Sequence, residues 1–292
     1  MKILITGGSG FIGKNLVLQY GNRHQVAAPT RAELNLLDAG AVGEYLKSHR
    51  FEAVIHCATE RCNRGLPGSP DLVERNCRMY FHLASNSRHF GRMLFLSSGA
   101  VYDREHWRPR MPESYFGKHI PADPYGFSKY ICAKSIASPG NVFELRLFGV
   151  FGPYEDWRVR FISNACCRAV WDAPLLVRQN VVFDYLDIED LGWLLEAFLD
   201  GELRHRHYNV CTGRTFDLLT LAEKVMFASG KPLDLEVKEP GLGTEYSGDN
   251  SRMMEEICGL QFRDMDESIA RLYRWYEERK TEIDASLLKF DG

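Results

Sequence analysis

The first half of the 292-residue chain alternates short, continuously apolar runs with amphipathic stretches. "KILIT", "HQVAAP", "EAVIHCA" and "RMLFLSS" are strand-like, whereas "GFIGKNLVLQYG", "AVGEYLKSH" and "LVERNCRMYFHLASNS" carry apolar positions on a helical period. That alternation predicts βαβ units and a parallel sheet, and the continuity of the runs predicts strands covered by helices on both faces. A helix over "DPYGFSKY" (123–130) is followed by a strand, "NVFELRLF", and then by "GVFGPYEDW", where Gly and Pro break the rhythm. Beyond residue 150, short strands ("PLLV", "FDYLDI", "HYNVC") mix with helices at "DLLTLAEKVMFASG" and "DESIARLYRWYEERK". The pattern predicts an α/β fold with a doubly wound parallel sheet over 1–150. A smaller, discontinuous α/β substrate lobe over 151–292 packs tightly on it, and "TEIDASLLKFDG" reads as a loosely held tail.

Composition narrows the function classes. With 45% hydrophobic and 26% charged residues the chain suits a globular protein with a sizeable core, and a net charge of -3 leaves no footprint for nucleic acid. No apolar stretch approaches the roughly 20 residues of a membrane span, and "MKILITGG" is too short for a signal peptide, so a cytoplasmic location is expected. Eight cysteines (57, 62, 77, 132, 166, 167, 211 and 258) form no C-x-x-C pair, and several sit in apolar runs, as reduced core thiols do. His56, Cys57 and Cys62, like His205, His207 and Cys211, lack zinc-site spacing, and no metal is expected.

"TGGSGFIG" follows the first strand and opens the first helix, satisfying G-x-G-x-x-G (Gly8, Gly10, Gly13) and G-x-x-G-x-x-G (Gly7, Gly10, Gly13). Absent side chains let backbone approach a pyrophosphate at a helix N-terminus, so this loop predicts a dinucleotide and a Rossmann-type sheet. At the end of the second strand, "HQVAAPTRAELNLLD" puts Thr30 and Arg31 where an NAD-selective acid is expected, with Glu33 close to that spacing. A guanidinium matches phosphate geometry, which favours NADP and leaves NAD open. Tyr125 and Lys129 stand four positions apart, on one face of their helix.

Together "TGGSGFIG", "VIHCA", "SSGAVY" and "YGFSK" resemble the extended short-chain dehydrogenase/reductase family, especially its nucleotide-sugar epimerases, dehydratases and reductases. "RLFGVFGP", "FDYLDIEDL" and "YNVCTG" are similar to the family's sugar-nucleotide segments. The resemblance implies Tyr125 as acid/base, Lys129 as its electrostatic partner and ribose ligand, and Ser98 rather than Ser97 as hydrogen-bond donor to the substrate oxygen. A free phenol titrates near 10, and a neighbouring ammonium favours phenolate. The implied cofactor contacts are Gly7, Gly10, Phe11, Ile12, Gly13, Arg31, Leu36, Ala58 and Asn76, with Tyr125 and Lys129.

Departures sharpen the expectation. The 4,6-dehydratases carry an Asp-Glu pair where this chain has Gly99 and Ala100, and the GDP-fucose synthases carry a cysteine at the place of Ala100. Dehydration and double epimerisation are disfavoured. The reaction expected is reduction of a 4-keto(-6-deoxy) sugar nucleotide, with NAD-dependent 4-epimerisation as the alternative and a non-catalytic dinucleotide sensor as the second. Phe148 and Gly149 stand around the family's substrate Asn, and Phe183 replaces a diphosphate-gripping Arg, leaving Arg160 or Arg178 for that role beside Ser98 and Phe148. A homodimer is implied by the resemblance. The loops "DREHWRPRMPESYFGKHIP" and "KEPGLGTEYSGDN" carry no readable chemistry.

Overall fold

The computed structural model describes residues 1–60, 69–136, 140–257 and 259–288. Along the chain lie β1 (Lys2–Thr6), α1 (Phe11–Tyr20), β2 (Gln25–Ala27), α2 (Ala39–His49), β3 (Phe51–His56), α3 (Leu72–Ala84), β4 (Phe90–Ser98), α4 (Pro124–Lys134) and β5 (Val142–Leu147). Then come β6 (Gly149–Phe151), α5 (Phe161–Val170), β7 (Leu175–Asn180), β8 (Val182–Asp187), α6 (Ile188–Asp200) and β9 (His207–Val210). The last elements are β10 (Thr215–Asp217), α7 (Leu218–Ser229), β11 (Leu235–Leu242), α8 (Ser251–Glu256) and α9 (Met265–Glu277).

Among the described residues six strands form one parallel sheet in the order β2-β1-β3-β4-β5-β9. The chain leaves β1 for β2 on one side and returns to β3 on the other, which makes the carboxyl ends of β1 and β3 the topological switch point. Leu16 and Tyr20 of α1 with Leu191, Leu194 and Phe198 of α6 bury one face against Ile3, Ile5, Ile55 and Leu94. Val42 and Leu46 of α2, Tyr80 and Leu83 of α3 and Cys132 of α4 bury the other against Leu4, Val54, Met93 and Phe95. Each such aliphatic side chain contributes about 1.5–3 kcal/mol of transfer free energy.

Two elements from beyond residue 150 complete this body. α6 packs on α1, where Tyr20 donates to the Gly192 carbonyl at 2.6 Å. The "HYNVC" segment, read from sequence as a strand of the second lobe, is β9 on the open edge of β5, pairing Tyr208 with Leu145 and Val210 with Leu147. Its fully buried Tyr208 and Val210 belong to the first core, which explains the choice of edge. A second core gathers around α5, α7 and α9, with Val177 of β7. The tail expected to be loose is held as far as 288: Ile283 and Leu288 are buried in that second core, and the Arg168 guanidinium donates to the Leu288 carbonyl. The six described cysteines are free thiols, while Cys62 and Cys258 lie outside the described residues.

β5 departs from a purely apolar strand. Phe143, Leu145 and Leu147 enter the core under α6, whereas Glu144 and Arg146 point the other way and are almost wholly buried. Arg146 Nε and Nη2 lie 2.9 and 2.7 Å from Glu144 Oε2, which also meets His207 Nδ1 at 2.8 Å. Arg146 further donates to Tyr102 Oη (2.8 Å), and Tyr102 to Asn209 Oδ1 (2.6 Å). Burial by itself pushes the Glu144 carboxyl up, and the Arg146 guanidinium, with hydrogen bonds from His207 and Arg146, outweighs it and holds the group at about 2. A folded-state value below the unfolded 4.5 means that this stabilisation is complete above pH 4.5 and is lost as pH falls from there towards 2. Arg146→Met leaves the carboxylate buried without its partner and is expected to cost about 3–5 kcal/mol in urea unfolding at neutral pH. A loss under about 1 kcal/mol would show that the pair is not isolated from solvent.

Candidate active site

The glycine loop makes a turn that side chains would prevent. Gly7 adopts φ +72°, and the Gly10 N–H closes the turn on the Gly7 carbonyl at 2.9 Å. A Cβ on Gly7 would stand 2.8 Å from the backbone of Ala58, and one on Gly13 would stand 2.2 Å from the Gly7 carbonyl oxygen. Backbone from β1, α1 and the end of β3 therefore packs with no side chain between. Gly10 is the extended N-cap of α1, and no side chain caps the N–H groups of the first turn. Phe11 and Ile12 open that turn and pack against the core. An uncapped helix N-terminus beside bare backbone at the switch point fits a dinucleotide pyrophosphate.

At the end of β2 the structure separates the two selectivity candidates. Thr30 donates its backbone N–H and its hydroxyl to Glu33 Oε2 at 2.7 and 2.9 Å, and these bonds hold the carboxyl below its usual value. Arg31 is exposed and has no ion pair or hydrogen bond among the described residues. Leu36 is half-buried against the core beneath α2 and α3.

Asn76 on α3 ties the strand ends to α4. Its Oδ1 accepts from the Glu60 N–H at 2.7 Å, and its Nδ2 donates to the Glu60 carbonyl at 3.0 Å and to Ser128 Oγ at 3.3 Å. Ser128 in turn donates to the Tyr125 carbonyl at 2.8 Å. Behind Ala58 the buried His56 hydrogen-bonds Thr6 Oγ1 at 2.8 Å, and burial, assisted by the Lys129 charge, lowers its pKa to about 3, keeping the ring neutral.

α4 begins where Asp123 caps the Gly126 N–H at 2.9 Å and Pro124 takes the first helical position. Tyr125 thus stands in the first turn, whose positive end favours negative charge. One turn on, Lys129 is 3% exposed; its ammonium donates to the Leu96 carbonyl at 2.9 Å and lies 5.8 Å from the Tyr125 ring centre. Gly126 lets α4 press on the turn after β4: a Cβ there would meet the Ala100 carbonyl at 2.7 Å. That turn carries Ser98, whose Oγ accepts from the Ala100 N–H at 3.2 Å. Ser97 is buried, and its hydroxyl has no partner among the described residues.

One residue at this place had no signal in the sequence beyond being an aromatic in a polar, glycine-rich loop. Tyr246 brings its hydroxyl to 3.4 Å from Ser98 Oγ, and its ring packs at 4.2 Å from Trp107 and 4.9 Å from Phe148. Phe148 is buried and fills the space over Gly99 and Gly248. Arg160, the exposed N-cap of α5, acts electrostatically on Tyr246. Arg178 is exposed on β7 and pairs with Glu239 at 2.9 Å, so a phosphate would have to displace that carboxylate.

Gly13→Ala drives a methyl group into the Gly7 carbonyl and is expected to weaken dinucleotide binding about tenfold or more, read by fluorescence titration of the folded variant. Unchanged affinity would mean that the loop does not receive the pyrophosphate.

Residues 3–211, from β1 to just past β9, match the NAD dependent epimerase/dehydratase family. The chain is 28% identical to the ADP-L-glycero-D-manno-heptose-6-epimerase of Cupriavidus pinatubonensis, across 96% of this chain and 99% of that one. Its fold is similar to a UDP-glucose 4-epimerase from Thermotoga maritima solved with UDP-glucose, at a TM-score of 0.79 and 21% identity over 97% of this chain and 100% of that one. It is also similar to a GDP-mannoheptose C4 reductase from Campylobacter jejuni with NADP bound, at a TM-score of 0.79 and 19% identity over 94% and 98%. With a glycine cradle at the switch point and a match that spans the whole parallel sheet, the chain belongs to the NAD dependent epimerase/dehydratase family, whose enzymes of the extended short-chain dehydrogenase/reductase type use NAD(P).

Proposed function

We propose that the protein reduces the 4-keto group of a nucleotide-activated deoxysugar with NADPH, Tyr125 supplying the proton. The observation that carries this reading is the end of β2, where Glu33 is engaged by Thr30 while Arg31 projects unpaired. A bound ribose then meets a free guanidinium rather than a free carboxylate, which favours the 2′-phosphate. A cofactor drawn from the reducing pool suits net reduction.

The dinucleotide, when bound, supplies the hydride. Tyr125 gives its phenolic proton to the ketone oxygen as negative charge develops there, and Ser98 holds that oxygen with a hydrogen bond. Lys129, fixed by the Leu96 carbonyl, keeps a buried positive charge beside the phenol as it becomes phenolate and leaves two N–H groups for further partners. Elimination of water would need an acid pair after Ser98. A Cβ at 99 would lie 2.7 Å from Tyr246 Oη and 2.8 Å from Phe148, so the place of a carboxylate is already filled.

A 4-epimerase reading has its own support in a UDP-glucose 4-epimerase relative and would use the same Tyr125. The two divide on stoichiometry. Purified protein is incubated with NADPH and the 4-keto-6-deoxyhexose derivatives of UDP, dTDP, GDP, CDP and ADP, and in parallel, without added cofactor, with the 4-hydroxy hexose derivatives of the same nucleotides. Reduction consumes one NADPH per sugar; interconversion of two unreduced nucleotide sugars by tightly held NAD, without net NADPH loss, would sink the reductase.

Two variants test the residue roles. Tyr125→Phe is expected to lower kcat about 10²–10⁴-fold while the dinucleotide Kd holds, and loss of binding instead would mean a structural role. Arg31→Ala is expected to weaken NADPH about tenfold and leave NADH nearly unchanged, and equal effects on both would remove the 2′-phosphate assignment.

A further inference from the structure

The hydroxyl of Ser98 has one hydrogen to give and two lone pairs to fill. One lone pair takes the Ala100 N–H at 3.2 Å, and Tyr246 Oη lies 3.4 Å away. We propose that Tyr246 is a positioning residue for Ser98: its phenol donates to the second lone pair, so the Ser98 hydrogen is left to point at the sugar oxygen.

Tyr246 is held where its phenol meets Ser98. The loop holding it is fixed on both sides, by the Tyr246 N–H to the Val182 carbonyl at 2.9 Å and by the Asp184 N–H to the Tyr246 carbonyl at 3.2 Å. Its ring is enclosed by Trp107, Phe148 and Phe183. Burial in that enclosure pushes the phenol above its ordinary value, with the Ser98 contact opposing and the Tyr125 charge adding to the rise. The neutral phenol has a hydrogen to give, and Ser98 Oγ is its hydrogen-bond partner at 3.4 Å. Gly99 makes the approach possible, because any side chain there would begin 2.7 Å from Tyr246 Oη. A serine hydrogen with only one place left to go is an oriented donor before substrate arrives, which is the condition for electrostatic stabilisation without reorganisation.

This assignment rests on the reading of Ser98 as the donor to the reacting oxygen, and a double-mutant cycle separates the two. Wild type, Tyr246→Phe, Ser98→Ala and the double variant are assayed on the same 4-keto and 4-hydroxy nucleotide sugars, with NADPH loss and epimer formation both recorded. Tyr246→Phe keeps the ring and its packing, so its melting temperature serves as the check on folding. The expected result is about a tenfold fall in kcat for Tyr246→Phe with KM and dinucleotide Kd unchanged, and no further fall when Ser98 is already alanine. Equal losses in both backgrounds, or none in either, would overturn the positioning role while leaving the function standing. Epimer formation without NADPH loss would overturn the reductase, with the coupling still measured. Absence of any turnover by wild type, or an active Ser98→Ala variant with unchanged kcat, would remove both.

Discussion

Backbone touches backbone where β1, α1 and the end of β3 meet, and the site hangs from that contact. No side chain fits between Gly13 and the Gly7 carbonyl or between Gly7 and Ala58. The approach fixes the first turn of α1 against the strand ends and leaves its N–H groups facing outward with no side-chain cap. From Ala58 the loop runs to Glu60, which Asn76 grips through both its N–H and its carbonyl. Asn76 also reaches Ser128, and Ser128 the carbonyl of Tyr125. A short chain of hydrogen bonds therefore ties the cradle to the helix turn that carries Tyr125, so changes at Asn76 act on the geometry between them.

The sugar side is held differently. Its wall is built from loops, and a buried polar network supplies their anchor. Arg146 joins Glu144 to Tyr102, the last residue of the turn that follows Ser98, and Tyr102 joins Asn209 on β9. Asn209 then donates to the carbonyls of Met111 and Asp249, one in each of the two long loops. Those loops pair with one another, the Met111 N–H on the Ser247 carbonyl at 3.0 Å and the Asp249 N–H on the Met111 carbonyl at 2.9 Å. An ion pair in a sheet interior gains little stability over apolar packing of the same volume. Here it joins the two loops at one point, because Asn209 holds a carbonyl of each.

What was legible in the sequence is what local spacing encodes. Gly7, Gly10 and Gly13 fall between a strand and a helix, and Tyr125 and Lys129 fall one turn apart, so their geometry follows from helix and strand periods. Arg31 and Glu33 were both visible, but spacing does not say which way a carboxylate turns, and the bonds from Thr30 settle that only in three dimensions. "HYNVC" showed a strand without showing its edge. "NVFELRLF" showed a strand without showing that Glu144 and Arg146 lie buried inside the protein. Tyr246 lay furthest from view, since its loop gains meaning only from pairing with a segment 137 residues away.

The replacement of charge by aromatic rings above Ser98 then has a physical logic. In the proposed reduction, an oxygen that gains negative charge between Tyr125 and Ser98 is stabilised by cations and by oriented hydrogens, and destabilised by a nearby carboxylate. Gly99 and Ala100 place none there, and the volume left open is taken by Phe148 and by a phenol whose proton is retained. The charges of Arg104 and Arg160 both act on that phenol, against the effect of Tyr125. Low polarity of the ring wall strengthens each of these interactions by excluding water. The same rings set a steric limit, because Trp107, Phe148 and Phe183 are each packed on Tyr246, and in the proposed reaction the substituents of the sugar must fit this wall. On the proposed function, selection among sugars falls to the shape of the ring face rather than to Tyr125 and Ser98.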